Sequence, residues 1–74
     1  MADQIRLEIA FDGGQIMGAL VSLASADELD RALESGRDGS LTLEAADGRY
    51  TVALRRVVYV KRFARESRVG FGSQ

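Results

Sequence analysis

The stretch Arg55-Arg56-Val57-Val58-Tyr59-Val60-Lys61-Arg62-Phe63 sets the reading of this chain. Val57, Val58, Tyr59 and Val60 all favour extended backbone, and their run puts apolar side chains on both faces of a strand. A strand apolar on both faces is expected at the centre of a sheet, covered on both sides. The chain offers one good helix as a cover. The second cover is then expected to be another copy of the same chain.

Outward from this stretch, the elements follow from pattern. Residues 5–11 alternate, with Ile5, Leu7, Ile9 and Phe11 on one side and Arg6, Glu8, Ala10 and Asp12 on the other. This is a half-buried strand. Asp12-Gly13-Gly14 supplies the positive φ of a tight turn, and residues 15–23 form the return strand. A two-residue Gly13-Gly14 turn would set Phe11 opposite Ile16 and Leu7 opposite Leu20. Gly18, in mid-strand, marks a bulge or a close approach.

Ser25-Ala26-Asp27-Glu28 reads as a capping box opening a helix over residues 26–35. Ala26, Leu29, Ala32 and Leu33 are its apolar stripe, and Gly36 is its stop. Residues 40–45 form a strand, and Asp47-Gly48 is a type I′ hairpin pair. That turn would set Ala45 opposite Tyr50, Leu43 opposite Val52 and Leu41 opposite Leu54. A bend is expected near Leu54-Arg55-Arg56, because one strand from 49 to 63 would be unusually long. Residues 57–63 are the last strand. The fold class is α+β: order β-β-α-β-β-β, a twisted antiparallel sheet with one helix on one face. Residues 1–74 make one small domain, with 64–74 either a tail or a short edge strand.

Composition narrows the chemistry. The chain has no Cys and no His, which removes disulfides, the usual zinc, haem and iron–sulfur ligand sets, and the Ser-His and Cys-His nucleophile systems. No cofactor or metal is expected. Oligomerisation is the staple left to so small a core. There is no phosphate-binding loop, and Gly13-Gly14 is too short to act as one. The carboxylate pairs Asp27 with Asp30 and Glu8 with Asp12 read as capping and surface charge, not as acid–base machinery. No catalytic residue is assigned, and an enzyme is not expected. No apolar run is long enough for a transmembrane helix, and the N-terminus lacks a signal-peptide pattern, so a cytoplasmic protein without a membrane partner is expected.

The net charge of −1 hides an asymmetry. Residues 1–54 hold ten acids and four bases (net −6), whereas residues 55–74 hold one acid and six bases (net +5). Either folding interleaves these halves, or the basic segment meets an acidic partner. Arg55, Arg56, Lys61, Arg62, Arg65 and Arg68 are interleaved with Tyr59, Phe63 and Phe71, the pattern of a single-strand nucleic-acid binder. The acidic sequence pI near 5.3 opposes that reading. Phe71, between two glycines, is either an arm that inserts into a neighbour or part of a short edge strand.

Leu41-Thr42-Leu43, Asp47-Gly48-Arg49, Arg56-Val57-Val58-Tyr59-Val60 and Arg68-Val69-Gly70-Phe71-Gly72 together resemble a small actinobacterial family of unknown function. The helix opening Ser25-Ala26-Asp27-Glu28-Leu29 is similar too. The resemblance covers about half the chain, with its motifs in the expected order. It implies a compact α+β fold and brings no activity to transfer. Two departures stand out: Lys61-Arg62 replaces the family's acidic tendency, and the first hairpin matches poorly.

The leading expectation is a non-enzymatic interaction module working as a homo-oligomer, most simply a dimer, through Val58, Val60, Phe63 and Phe71. In this reading the basic segment meets the acidic helix or first hairpin of a neighbour. The alternative is a regulatory nucleic-acid-binding protein, or one that docks an acidic protein, using Arg55, Arg56, Lys61, Arg62, Arg65 and Arg68.

Overall fold

The computed structural model describes residues 3–64. Strands β1 (Gln4–Phe11) and β2 (Ile16–Ser22) form the first hairpin, and helix α1 (Leu23–Glu34) follows with no intervening loop. Strands β3 (Ser40–Ala45) and β4 (Gly48–Ala53) form the second hairpin. A 3-10 turn, Leu54–Arg56, makes the expected bend into β5 (Val57–Arg62). The strands make one antiparallel sheet in the order β4-β3-β2-β1-β5. The α+β class and the element order match the sequence reading.

The helix lies against one face of the sheet. Ala26, Leu29 and Ala32 pack with Leu7, Ile9, Ala19, Val21, Leu41, Leu43, Val52 and Leu54 to form the core. Leu7, Ile9, Val21, Leu29 and Leu43 are fully buried. The other face of the sheet carries no element among the described residues.

β5 is an edge strand, not the central one. It also carries a β-bulge. Phe11 pairs with Val57 and Ala10 with Tyr59, which leaves Val58 as the extra residue. The bulge lets Val57 and Val60 both turn to the core side, where both pack on the core. Val57 and Val60 are thus covered by the chain's own core, whereas Val58 and Tyr59 stay exposed. The strand that is apolar on both faces and central is β2, with Met17, Ala19 and Val21 inward and Ile16 and Leu20 outward.

The β1–β2 register differs by one residue from the sequence expectation. Ile16 pairs with Ala10 and Ala19 with Leu7. The turn is a three-residue loop, Asp12-Gly13-Gly14, closed by the Phe11 N–H donating to the Gln15 carbonyl at 2.8 Å. Gly13 and Gly14 both take positive φ (+93° and +91°), which L side chains adopt at a cost. A one-residue slip exchanges faces, so Leu20, expected inside, is outside.

The second hairpin slips by two residues. Leu43 pairs with Tyr50 and Leu41 with Val52, around a loop of Ala46-Asp47. No described residue other than glycine has positive φ, so Asp47 cannot be part of a type I′ turn. An even shift preserves faces, and Leu41, Leu43 and Val52 remain inside.

The helix starts earlier than the capping-box pattern indicates. Its N-cap is Ser22, whose Oγ accepts from the Ser25 N–H at 3.1 Å. Ser25 is buried, and its own Oγ accepts from the β3 backbone N–H of Glu44 at 2.9 Å. Thus the residue expected to cap the helix instead ties it to the sheet. At the C-terminus Arg37 N–H donates to the Ala32 carbonyl and Gly36 N–H to the Leu33 carbonyl, a Schellman closure with Gly36 at φ +69°.

Replacement of Ser25 and Glu28 separates the two roles. Ser25→Ala is expected to cost about 1–3 kcal/mol in urea unfolding, because it removes the bond to Glu44 and empties a buried polar position. Glu28→Gln is expected to stay within about 0.5 kcal/mol of the parent, as an exposed residue outside the cap should.

Candidate functional site

The helix-free face of the sheet is built by residues that alternate away from the core. From β2 come Ile16, Gly18 and Leu20, from β1 Arg6, Glu8 and Ala10, and from the β5 segment Tyr59, Lys61 and Phe63. Strand register sorts them into three rows. Leu20 pairs with Arg6, whose carbonyl accepts from the Phe63 N–H at 3.0 Å. Gly18 pairs with Glu8, and Glu8 with Lys61. Ile16 pairs with Ala10, and Ala10 with Tyr59.

This face carries apolar side chains that no other described residue covers. Ile16 is 59% exposed, Leu20 40% and Tyr59 44%; Val58, the unpaired bulge residue at the edge, is 64% exposed. Scattered exposed apolar residues are ordinary, but here they flank one strand on one face. Ala10 is buried without belonging to the core cluster, because Ile16 and Tyr59 stand beside it on this same face. On β3 and β4 the corresponding positions are Thr42, Glu44, Arg49 and Thr51, so the apolar character stops at β2.

Polar groups order the surface. The Tyr59 hydroxyl donates to Glu8 Oε2 at 2.7 Å across the β1–β5 pair. The Phe63 ring lies between two cations, with Lys61 Nζ 4.6 Å and Arg6 Cζ 5.9 Å from its centroid. Lys61 forms no salt bridge among the described residues. Gly18 leaves a gap between Ile16 and Leu20. A Cβ there would meet only the Leu7 carbonyl oxygen, at an ordinary 3.8 Å, and its φ is not in the left-handed region.

The basic residues singled out from the sequence do not converge. Lys61 is on the open face. Arg62 points to the helix side and donates to Asp30 at 2.7 Å and Asp27 at 3.0 Å. The acidic helix expected to receive this segment from a neighbour therefore receives Arg62 from its own chain. The Asp30 bond first, and the Asp27 bond next, hold the guanidinium above its usual pKa. Arg55 and Arg56 line a shallow cleft with Asp12, Gly39 and Ala53, and Arg56 Nε lies 3.6 Å from Asp12. Arg65 and Arg68 lie outside the described residues.

The expected interface residues divide too. Val58 is exposed, and Phe63 is half-buried on the open face. Val60 is turned to the core by the bulge, pairs with Ile9, and cannot join Val58 in a contact on the open face. Phe71 lies outside the described residues. Ile16, Leu20 and Gly18 were not assigned to any surface from the sequence. The signal was present in β2, which is apolar at consecutive positions.

A second groove runs beside the end of the helix, lined by Glu28, Arg31, Ala32, Glu34, Ser35 and Arg37. It mixes both charge signs and shows no buried polar group aimed into it. Among the described residues no cluster of acidic side chains is arranged to hold a metal ion, and no helix is long and apolar enough to cross a membrane. No family model matches the chain, and no curated protein or solved structure is significantly similar to it.

The chain's two tyrosines report on the surface. Hydrogen bonds to Glu8 and Asp47 raise the pKa of Tyr59 and Tyr50, respectively, above 10.0; desolvation and the carboxylate charges add to both. A raised folded-state value means that the neutral phenol is held by the fold. These bonds are at full strength below pH 10.0 and are lost as pH climbs through the raised values. Alkaline absorbance titration is expected to show both tyrosines ionising late in the folded protein. Glu8→Ala should return Tyr59 alone toward its ordinary value, assigned by comparison with Tyr59→Phe.

Proposed function

We propose that this protein is a non-enzymatic interaction module whose working form is a homo-oligomer, a dimer in the simplest case, joined through the helix-free face of the sheet. The observation that carries this reading is the joint exposure of Ile16, Leu20 and Tyr59 on that face, with Val58 exposed at the bulge in β5. Val58 and Phe63 keep the roles expected from the sequence, and Ile16, Leu20 and Tyr59 join them. Burial of such side chains is the main favourable term in association. A chain of 8.0 kDa without a disulfide has a small core and gains from a second one formed with its neighbour. The absence of Cys fits a cytoplasmic setting.

A second reading, nucleic-acid binding, draws on one specific feature. Phe63 lies between Arg6 and Lys61, with Tyr59 exposed on the same face, an aromatic and cationic platform of the kind that stacks bases. Against it, Glu8 occupies the middle row and Arg62 is neutralised by two carboxylates. The same objection applies to an acidic protein as partner.

Light scattering at micromolar concentration is expected to return twice the 8.0 kDa chain mass. Val58→Asp, at an exposed position, should return the single-chain mass with the fold intact. Parent protein that stays at 8.0 kDa at every concentration overturns the proposal. Nucleic acid retained after purification in low salt, and released steeply by added salt, would favour the second reading.

A further inference from the structure

The exposed apolar side chains are not spread evenly over the open face. They stand on β2 and β5, the two strands that flank β1, while β1 itself presents Arg6, Glu8 and Ala10. The outward positions of β3 and β4 are polar apart from Ala53 at the end of β4. Such a pattern is nearly symmetric about β1, and a surface that pairs with itself must be self-complementary about its axis. Gly18 adds a second clue. Glycine within a strand is unfavourable relative to residues with a side chain, and here neither backbone conformation nor intrachain crowding calls for it. Among the described residues nothing fills the gap.

We propose that two copies pack face to face about a two-fold axis running along β1, so that the partner's Lys61 enters the gap over Gly18 and pairs with Glu8. This rests on the self-association reading above. Rotation about β1 lays β2 of one copy on β5 of the other. Leu20 then meets the partner's Phe63, and Ile16 meets the partner's Tyr59. In the middle row a long cationic side chain meets the one position that has no side chain. Glu8 stands next to that position, with one carboxylate oxygen on the Tyr59 hydroxyl and the other open to the incoming ammonium. Arg6, Glu8 and Ala10 each meet their own copy near the axis; Arg6 is turned onto the Phe63 ring, and the Glu8 carboxylate leans toward β5 through its Tyr59 bond, where the partner's Lys61 offsets the like charge. The polar outer face of β3 and β4 stays in water beyond the contact. Aligned sheets cross at roughly 30° and pack about 10 Å apart, a spacing that interdigitating side chains fill.

Charge reversal tests the arrangement because Glu8 and Lys61 also oppose each other within one chain. Glu8→Lys and Lys61→Glu, each alone, should weaken dimerisation by roughly tenfold or more, since each homodimer then juxtaposes like charges. An equimolar mixture of the two variants should recover dimers, because both cross-copy contacts become opposite in sign. An intrachain role predicts no recovery on mixing. Gly18→Val should give a monomer that remains folded by circular dichroism, with the gap filled. A dimeric parent whose single reversals still dimerise, or whose mixture stays monomeric, overturns this arrangement and leaves self-association standing. A monomeric parent overturns both.

Discussion

The register of β1 against β2 is the constraint on which the remaining structure depends. The loop Asp12-Gly13-Gly14 sets it, and the Phe11 N–H bond to the Gln15 carbonyl locks it. In this register Leu7 and Ile9 share a face with Ala19 and Val21, and these four form the floor beneath the helix. Ala19 and Ala26 are small, which lets the helix approach the sheet closely. The opposite choice would bury Ile16 and Leu20 and expose Ala19 and Val21. Because strand side chains alternate, the same choice composes both faces. The core and the open face are consequences of one turn.

The second constraint joins two hairpins that scarcely touch as strands. β2 and β3 share the single bridge Val21–Ala45, extended by the Ala46 N–H donating to the Leu20 carbonyl. The helix makes up for that short seam. It contacts β1, β2 and β3, and Ser25 supplies a partner to the Glu44 N–H where the strand ladder would otherwise have supplied one. Arg62 adds a clasp from the far edge strand to Asp27 and Asp30 on the helix. These pairs are exposed enough that their contribution is of the order of 1 kcal/mol or less.

Much of this architecture was legible in the residues, and the misses have specific causes. Element order followed from alternation and glycine placement, and the bend at Leu54–Arg56 followed from strand length. The inner face of β3 and β4 survived a wrong turn assignment because an even shift keeps parity. The β1–β2 register was not legible, since residues 16–21 are apolar on either face and two adjacent glycines permit more than one loop length. The position of β5 was not legible because Val57 to Val60 satisfy the two-faced pattern of a central strand as well as the bulged pattern of this edge strand. The capping box at Ser25 met every pattern rule, yet β2 ran directly into the helix and Ser22 took the cap. For the candidate site, Val58 and Phe63 were found through hydrophobicity alone. Ile16 and Leu20 needed the register, and Arg62 needed the helix placed before its partners could be known.

The bulge at Val58 bears on how the β5 edge of the sheet would receive another strand. A regular outer strand would offer an unbroken line of backbone donors and acceptors, on which further chains could add without limit. Here that line is interrupted at Val58, and cationic side chains at Lys61 and Arg62 follow it. Strand addition at this edge is thereby discouraged, while the opposite edge, β4, keeps a regular register. The same irregularity that turns Val60 inward interrupts the template for strand addition along this edge.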